Sequence, residues 1–239
     1  MLALWTDRMD LVRWGLTPVE IKSANEHVEL SLSPGTDLSG RFVIPDGVSP
    51  VSLATTSVLF RPETLDLAEA MPTNAASKAN PDGTFLAERL PWLRYRINVI
   101  GLRSSHYIKE IRYNHTPVND GIISLSPGGT LEIILDDHPA TLSGTILDGD
   151  KPAPTAVVLL QRRGSTGTVT QLAPPDMYAG MYAGNADANG HFQFIVAPGE
   201  YDIQASDSRN PRLRGQRPSG QSVKLDPGEQ KTIEVKLAP

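Results

Sequence analysis

The sequence predicts an all-β protein: two tandem antiparallel Greek-key β-sandwiches that follow a short N-terminal stub. Three observations predict this class. Among 239 residues there are 20 glycines and 20 prolines, yet 39% of the residues are hydrophobic, which suits short strands separated by turns rather than a disordered chain. Apolar and polar residues alternate over strand-length segments. Several of these segments recur after about 103 residues.

The N-terminal segment contains no secretory signal that we can identify, because charged residues interrupt its apolar positions. Within residues 3–14 the apolar side chains have approximately helical spacing, which predicts a short amphipathic helix; the spacing is set by Leu2, Trp5, Met9 and Val12. A strand-like segment follows at 28–33. We expect residues 1–33 to be the remnant of a preceding module, so that the chain is the C-terminal piece of a longer array or begins at a misassigned start.

Internal repeats define the two modules. A Leu-Ser-Gly strand opening, a turn of the form Asn/Asp-Gly-x-Phe and a Tyr-x-Ile step each occur twice, at Leu38 and Leu142, at Asn80–Phe85 and Asp187–Phe192, and at Tyr95 and Tyr201. A third, alternating motif occurs three times, at Val28–Leu30, Leu131–Ile133 and Ile233–Val235. Each copy reads as the closing strand of a module. The repeat places module boundaries at 34–137 and 138–239.

Turn residues support short antiparallel strands. Asp82-Gly83 and Asn189-Gly190 are dipeptides that tight hairpins favour, since they tolerate positive φ. Pro-Gly pairs begin at positions 34, 127, 198 and 227 and suit the centre of type II turns. The segment Pro62–Met71 alone has helix-like content inside module 1, and we expect a surface turn of helix between strands.

The repeated order of these motifs resembles the carboxypeptidase regulatory-like domains. These are transthyretin-like (prealbumin-like) β-sandwich modules, related in fold to Cna-B and starch-binding-like domains. The second module carries the motif Ala197–Ile203 after its Asn-Gly turn, and Tyr107–Tyr113, Val118–Gly121 and Leu125–Gly129 look like the second half of such modules in large bacterial envelope proteins. The resemblance covers residues 27–239. It implies a non-catalytic accessory module, often in tandem, outside the cytoplasm.

Module 1 departs from this pattern at one turn, where Trp92 and Leu93 stand in place of the Pro198 and Gly199 of module 2. Relatives of the Cna-B type can carry a Lys-Asn isopeptide bond promoted by a buried acid after the Tyr. No carboxylate falls convincingly beside Ile203 and Ala205 in this sequence, so we assign no cross-link.

Composition excludes several functional classes. The absence of cysteine rules out disulfides, thiolate metal sites and a cysteine nucleophile. The net charge of −5 is spread without long runs of one sign, so we expect no nucleic-acid partner. No apolar stretch approaches the length of about 20 residues that a membrane-spanning helix needs.

Metal and catalytic motifs are weak. Asp187–Gly190 resembles the start of a calcium loop but lacks its later ligands, so we interpret it as a plain turn. The five histidines, at 27, 106, 115, 138 and 191, show no zinc spacing. Ser39 and Ser143 lack a nucleophile elbow, and the Asp136-Asp137 and Asp148/Asp150 pairs fall in predicted turns. We therefore predict no catalytic residue, no metal site and no cofactor.

Exposed aromatic side chains are the candidates for ligand binding, because a flat ring can cover the apolar face of a sugar. The candidates are Trp92, Tyr178 and Tyr182. Each has a structural alternative: Trp92 could plug the open end of the core, and the two tyrosines could cover the sandwich edge. Tyr95 and Tyr201 alternate with isoleucine and are expected in the core. An arginine cluster, at 209, 212, 214 and 217, reads as a solvated loop that could contact an anionic glycan.

Two functional hypotheses follow. The first is a spacer or interaction protein of a bacterial envelope or a secreted protein, with a protein or polysaccharide partner, no membrane span and further β-sandwich modules upstream. The junction near 137–141 is short, which predicts limited swivelling between the modules. The second is a carbohydrate-binding module that uses Trp92 or the Tyr178 and Tyr182 pair.

Overall fold

The computed structural model describes residues 2–6, 12–16, 27–63, 75–118, 121–163, 181–206 and 220–237. Every regular element within these residues is a β-strand, and most strand pairs are antiparallel. The predicted all-β class is confirmed. The strands after residue 33 form two β-sandwiches in succession, called module 1 and module 2 below. The described residues contain no helix that could span a lipid bilayer.

The described residues of module 1 form nine strands in two sheets. The four-stranded sheet has the order β10-β7-β4-β5, and the five-stranded sheet has the order β6-β3-β11-β8-β9. The strands are β3 (Thr36–Val43), β4 (Ser57–Pro62), β5 (Ala75–Lys78), β6 (Thr84–Leu90), β7 (Arg94–Ile100), β8 (Tyr107–Tyr113), β9 (Thr116–Pro117), β10 (Ile122–Ser124) and β11 (Thr130–Asp136).

Module 2 repeats this plan, and its described residues form eight strands in two sheets. In one sheet β12 pairs with β13 and β16, and also with β19, while the other sheet has the order β15-β14-β17-β18. The strands are β12 (Ala140–Asp148), β13 (Lys151–Pro152), β14 (Val157–Arg162), β15 (Met181–Asn185), β16 (His191–Val196), β17 (Gly199–Ser206), β18 (Gln221–Leu225) and β19 (Gln230–Lys236).

Each module has its own hydrophobic core between its two sheets. Alternation along the strands supplies it: in β4 every second residue is buried, Val58 and Phe60 completely, and β12 shows the same period. Phe60 meets Tyr95 of β7 edge-on at a ring distance of 6.4 Å. Burying one such side chain stabilises the fold by about 1.5–3 kcal/mol. The core of module 1 lies within residues 38–135 and that of module 2 within 140–235.

The two Leu-Ser-Gly segments occupy equivalent places. Gly40 of β3 lies opposite Phe85 of β6, and Gly144 of β12 lies opposite Phe192 of β16. A Cβ atom on Gly40 would approach the Phe85 ring to 2.2 Å, and one on Gly144 would approach the Ile233 carbonyl oxygen to 2.0 Å. The phenylalanine ring therefore needs a glycine across the strand, which explains why both motifs recur together.

The Tyr-x-Ile steps are also equivalent, and both tyrosines are in the core as predicted. The hydroxyl of Tyr95 donates to the carbonyl of Pro91 at 3.0 Å, and that of Tyr201 donates to the carbonyl of Ala197 at 2.5 Å. Tyr95 is 1% exposed and Tyr201 is fully buried. Each hydroxyl satisfies the carbonyl four residues upstream and so fixes the turn that enters β7 or β17.

The structure corrects the expectation of purely antiparallel sheets. The closing strands β11 and β19 were predicted from their alternation, and each does form the last strand of its module. However, β11 lies parallel to β3 and β19 lies parallel to β12. Alternation fixes which face of a strand is buried but not the direction of its neighbour, since side-chain period 2 is common to both pairings.

The tight turns are also placed differently from the hairpins predicted. Gly83 and Gly190 adopt positive φ of 85° and 77°, and a backbone hydrogen bond from Asp187 to His191 closes the second turn at 2.8 Å. The flanking strands belong to different sheets, because β5 and β15 lie in one sheet and β6 and β16 in the other. These turns therefore join the two layers of each sandwich rather than two paired strands.

The N-terminal predictions were wrong in the described residues. Instead of a helix within 3–14, β1 (Leu2–Thr6) and β2 (Val12–Leu16) form an antiparallel pair. A three-turn helix is marginal without packing, whereas in the observed strand pair Gly15 of β2 packs on Leu30 and Leu32. Residues 27–32 form no strand, because no described strand offers them the parallel partner that β11 and β19 have. The helix-like segment 62–71 lies outside the described residues after Glu63.

Candidate functional site

Several hydrogen bonds and ion pairs meet at the junction between the modules. Three residues, 137–139, connect β11 to β12. The Asp137 Oδ2 atom accepts a hydrogen bond from the Ser49 backbone N–H of module 1 at 2.9 Å. The carbonyl of His138 accepts one from the Gly228 N–H of module 2 at 3.0 Å. Adjacent residues of the connector are thus held by opposite modules, which restricts hinge motion.

Charged groups reinforce the module 1 side of this junction. The Lys109 Nζ atom lies 2.8 Å from Oδ2 of Asp136, and the His138 Nδ1 atom lies 2.9 Å from Oδ1 of the same carboxylate. His138 Nδ1 also makes an ion-pair contact of 3.0 Å with Asp137 Oδ1. Burial opposes ionisation of Asp136, but the hydrogen bonds from Lys109 and His138 prevail and lower its pKa to about 2. The hydrogen bonds from Ser49 lower the pKa of Asp137.

The His138 imidazole makes the junction sensitive to pH. Its hydrogen bond to Asp136, followed by the charge of Asp137, raises the pKa of His138 above the ordinary value of 6.5. A raised pKa means that the contribution of the ion pair to stability is fully present below pH 6.5 and is lost as the pH rises through the folded value. The Asp136 contribution is present above the ordinary carboxyl pKa and is lost only as the pH falls toward 2.

Two further contacts support the junction. The buried His106 ring contacts the Ser49 carbonyl through Nε2 at 2.8 Å, which fixes the loop that reaches Asp137. Tyr107 of module 1 is only 6% exposed. Burial raises the pKa of Tyr107, with Asp136 acting in the same direction, while Lys109 and Arg162 oppose the shift. Arg162 belongs to β14, so module 2 acts electrostatically on the end of module 1.

Three neighbouring side chains at this junction carry atoms of the kind that bind metal ions. Ligand atoms of Asp136, Asp137 and His138 lie within 4.8 Å of one another. Lys109, Ser49 and the imidazole already engage the two carboxylates, so the group acts as a connector. The predicted plain turn at Asp187–Gly190 is confirmed, since the Asp187 Oδ1 atom accepts backbone N–H groups of Asn189 and His191 at 2.8 Å each.

The predicted aromatic binding residues do not form one site. Trp92 is 58% exposed at the turn between β6 and β7, so the alternative in which it plugs the core is wrong. Tyr182 is 2% exposed and packs against Tyr201 at a ring distance of 6.1 Å. As a β15 residue with an inward side chain it cannot present a ring to a sugar, so its prediction as a binding residue is corrected. Tyr178 and the arginine cluster lie outside the described residues.

Trp92 belongs to the turn that precedes β7 in module 1. Arg94, two residues further on, pairs with Glu63 at 2.9 Å, and both side chains retain solvent exposure. Leu93 donates its backbone N–H to the carbonyl of Pro91 at 2.8 Å, a compact turn that projects Trp92 outward.

The serines considered as nucleophiles have structural roles in the described residues. Ser143 Oγ lies 3.1 Å from the Thr232 hydroxyl across the β12–β19 pair. Ser39 lies on β3 at the position that corresponds to Ser143 in the repeat, on a strand face that alternates with the buried one. Their recurrence therefore follows from the shared strand geometry.

Sequence reasoning missed a groove in module 2. It measures about 360 Å³ and lies between β15 and β16, lined by Tyr182, Ala183, Gly184, Gln193, Phe194 and Ile195. In module 1 a side-chain hydrogen bond crosses the corresponding seam, where Ser77 of β5 donates its hydroxyl to the Leu86 carbonyl of β6 at 2.6 Å. Gly184 has no side chain to make this bond. The sequence signal for this groove is that Gly184 in the second repeat occupies the position that Ser77 occupies in the first.

Comparisons with known proteins give distant likenesses only. No protein-family model matches the chain, and no curated protein matches it. Solved structures similar to it include the Bacillus anthracis TIE protein, at 12% identity and TM-score 0.31 over 95% of this chain and 40% of that one. The minor pilin GBS52 of Streptococcus agalactiae matches at 12% identity and TM-score 0.34 over 86% and 97% of the two chains. A streptococcal ancillary pilin matches at 11% identity and TM-score 0.36 over 100% and 75%.

Proposed function

We propose that this chain is a non-catalytic spacer and interaction protein of a bacterial envelope or of a secreted assembly. Its units are residues 34–137 and 138–239, two carboxypeptidase regulatory-like, prealbumin-like modules, with residues 1–33 the remnant of a preceding one. The equivalent placement of the Leu-Ser-Gly strands and of the two core tyrosines supports the tandem arrangement. Its partners are protein components of the envelope, located outside the cytoplasm.

One observation carries the spacer role. A three-residue connector is hydrogen-bonded to module 1 through Asp137 and to module 2 through His138, so the two sandwiches are held end to end. A rigid pair keeps whatever lies at its two ends at a fixed separation, whereas a flexible linker would not. The function requires stiffness and no chemistry.

The stiffness can be measured between spin labels. Glu88 of β6 and Gln193 of β16 are exposed, and a chain without native cysteine allows Glu88→Cys with Gln193→Cys to be labelled cleanly. We expect a narrow distance distribution by double electron–electron resonance. The double change Asp137→Ala and His138→Ala should broaden it, because the bond from Ser49 to Asp137 and the contacts of the imidazole with Asp136 are lost, which leaves the backbone bond from Gly228 to the carbonyl of residue 138. The distance distribution of the unaltered junction should also broaden as the pH rises above 6, because the pKa of His138 is raised and its ion pairs weaken once the imidazole loses its proton.

The matched control is Asp150→Ala with Lys151→Ala, which removes a neighbouring exposed acid and base at the other end of β12. This variant should leave the distribution narrow. A reference with a flexible Gly-Ser insertion after Asp137 supplies the broad limit. If the unaltered chain gives a distance distribution as broad as that of this reference, the proposed spacer role is wrong.

The exposed ring of Trp92 favours a second function, carbohydrate binding by module 1. Titration with soluble polysaccharides, followed by tryptophan fluorescence and a glycan array, should then show binding that Trp92→Ala weakens about tenfold, the loss expected for one stacking ring. Leu86→Ala is the control, since Leu86 is a half-exposed apolar side chain of the same module. Absence of any signal at millimolar ligand, or a signal that Trp92→Ala leaves unchanged, would reject this function.

A further inference from the structure

The first and last strands of each module lie side by side and run in the same direction. In module 1, β3 and β11 are paired over five positions, beginning with Ser39 opposite Thr130. In module 2, β12 and β19 are paired over seven positions, beginning with Thr141 opposite Gln230. The chain enters each module through the first of these strands and leaves it through the last. Tension along the chain therefore acts directly on these two pairs, which we call the terminal pairs.

The parallel direction decides how tension acts on a terminal pair. Because β3 and β11 point the same way, the entry to β3 and the exit from β11 lie at opposite ends of the pair. Pulling on the two ends of the chain therefore slides one strand along the other, and all paired positions resist together. A single backbone hydrogen bond contributes little net stability, so the resistance depends on many bonds that share the force.

Parallel pairing distinguishes the terminal pairs from the other named strand pairs of the described chain. The remaining pairs within the sandwiches are antiparallel. The two parallel pairs join the first strand of a module to its last strand in both cases. Both modules therefore have the strand direction that places the terminal pair under shear when the chain is pulled.

Hydrogen bonds close both ends of the terminal pair in module 2. At one end the Glu229 carbonyl accepts from the Thr141 N–H at 2.8 Å. At the other end the Leu147 carbonyl accepts from the Leu237 N–H at 2.9 Å. The two strands are thus bonded along the whole length of the pair, which opposes its opening from either end.

The terminal pair of module 1 is shorter but better shielded from water. Residues 131–136 of β11 are all buried, whereas Val235 alone is buried among the seven residues of β19. Arg41 of β3 donates from Nε to Oε1 of Glu132 on β11 at 3.1 Å, so a side-chain bond crosses this pair as well. A hydrogen bond shielded from water is stronger than an exposed one, which compensates for the smaller number of paired positions.

We propose that the chain carries tensile force between the components attached at its two ends, with the terminal pairs as mechanical clamps. The inference rests on the proposed spacer function and extends it. A spacer keeps its ends apart, whereas the clamps keep both sandwiches folded while those ends are pulled. The two clamps act in series, because β11 continues into β12 through three residues.

Single-molecule force spectroscopy on the full chain tests the clamps. With handles at the chain ends, each module should unfold in one step that lengthens the chain by about 300 Å, since an extended residue spans about 3.3–3.6 Å. The comparison pulls between Pro34→Cys and Pro127→Cys, which replace exposed residues that precede β3 and β11. In that direction the paired positions separate one at a time. We expect a force about threefold lower than in either end-to-end step, because one position rather than five carries the load.

A metal staple tests the clamp of module 2 separately from its equilibrium stability. Ser143 and Thr232 lie opposite each other across β12 and β19, and Leu159 and Gln204 lie opposite each other across β14 and β17. Histidines at both positions of either pair form a Ni²⁺ site that links the two strands. Ni²⁺ should shift the unfolding force of module 2 upward in Ser143→His with Thr232→His. The matched control, Leu159→His with Gln204→His, should show no shift, because its staple does not cross the terminal pair.

Chemical denaturation is measured beside the force, and Ni²⁺ should stabilise both histidine variants there, because it binds their folded states. Equal forces in the two pulling directions, or an equal Ni²⁺ shift of the force in both histidine variants, would overturn the clamps. Equal forces together with a narrow distance distribution at the junction would reject the clamps and leave the spacer role intact. A broad distribution at the junction together with a direction-dependent force would reject the spacer role alone.

Discussion

Replacing Gly144 with valine is expected to destabilise module 2 by about 3 kcal/mol or more while module 1 keeps its stability. The new Cβ would lie 2.0 Å from the Ile233 carbonyl oxygen and 2.8 Å from the Phe192 ring, so backbone as well as side chain must move. A domain is stable by only about 5–15 kcal/mol, so this loss is a large share of the total. Hydrogen exchange measured by mass spectrometry should show lost protection in β12, β16 and β19 alone.

The tryptophans give a convenient internal control, because all three lie at or before Trp92 and none in module 2. Denaturant unfolding followed by tryptophan fluorescence should therefore be unchanged by Gly144→Val. Thr145→Val, a β-branched substitution at the next position of the same strand, should leave hydrogen exchange in module 2 unchanged. Normal protection of β19 in Gly144→Val would mean that the close packing of β12, β16 and β19 is not required.

The change Tyr201→Ala is expected to cost module 2 about 3–5 kcal/mol, the usual loss for deleting a fully buried aromatic ring. Tyr201 is fully buried, its ring packs on Tyr182 and its hydroxyl holds the Ala197 carbonyl. Tyr201→Phe keeps the ring but leaves that carbonyl without its donor, and should cost about 1–2 kcal/mol. Chemical denaturation followed by tyrosine-sensitive near-ultraviolet circular dichroism measures both.

The equivalent substitutions at Tyr95 provide the matched comparison. Tyr95→Ala should destabilise module 1 by a similar amount and should shift the tryptophan-detected transition, which Tyr201→Ala should not. If Tyr201→Phe costs as much as Tyr201→Ala, the hydrogen bond rather than the ring dominates, and the explanation from core packing fails.

The sequence predicts a short connector between the modules, but it does not predict which groups contact that connector. The closing motif that ends near Asp136 and the next Leu-Ser-Gly strand leave room for only a short connector, and that expectation agrees with β11 and β12. The contacts with Ser49 and Gly228 come from loops 88 and 90 residues away from their partners. Loop-to-loop proximity of this kind depends on the packing of whole sandwiches, which sequence spacing does not encode.

Local features were determined by the sequence itself. Alternation placed Tyr95, Tyr201 and the closing strands in their cores, and the Asp/Asn-Gly dipeptides marked turns, because side-chain period and tolerance of positive φ belong to short segments of chain. Only the tertiary structure decided that β19 runs parallel to β12 and that β5 and β6 belong to different sheets. It also buried Tyr182 and exposed Trp92. Partner and direction of a strand are set by contacts between residues far apart in the chain, and those contacts form only when both sheets close on a common core.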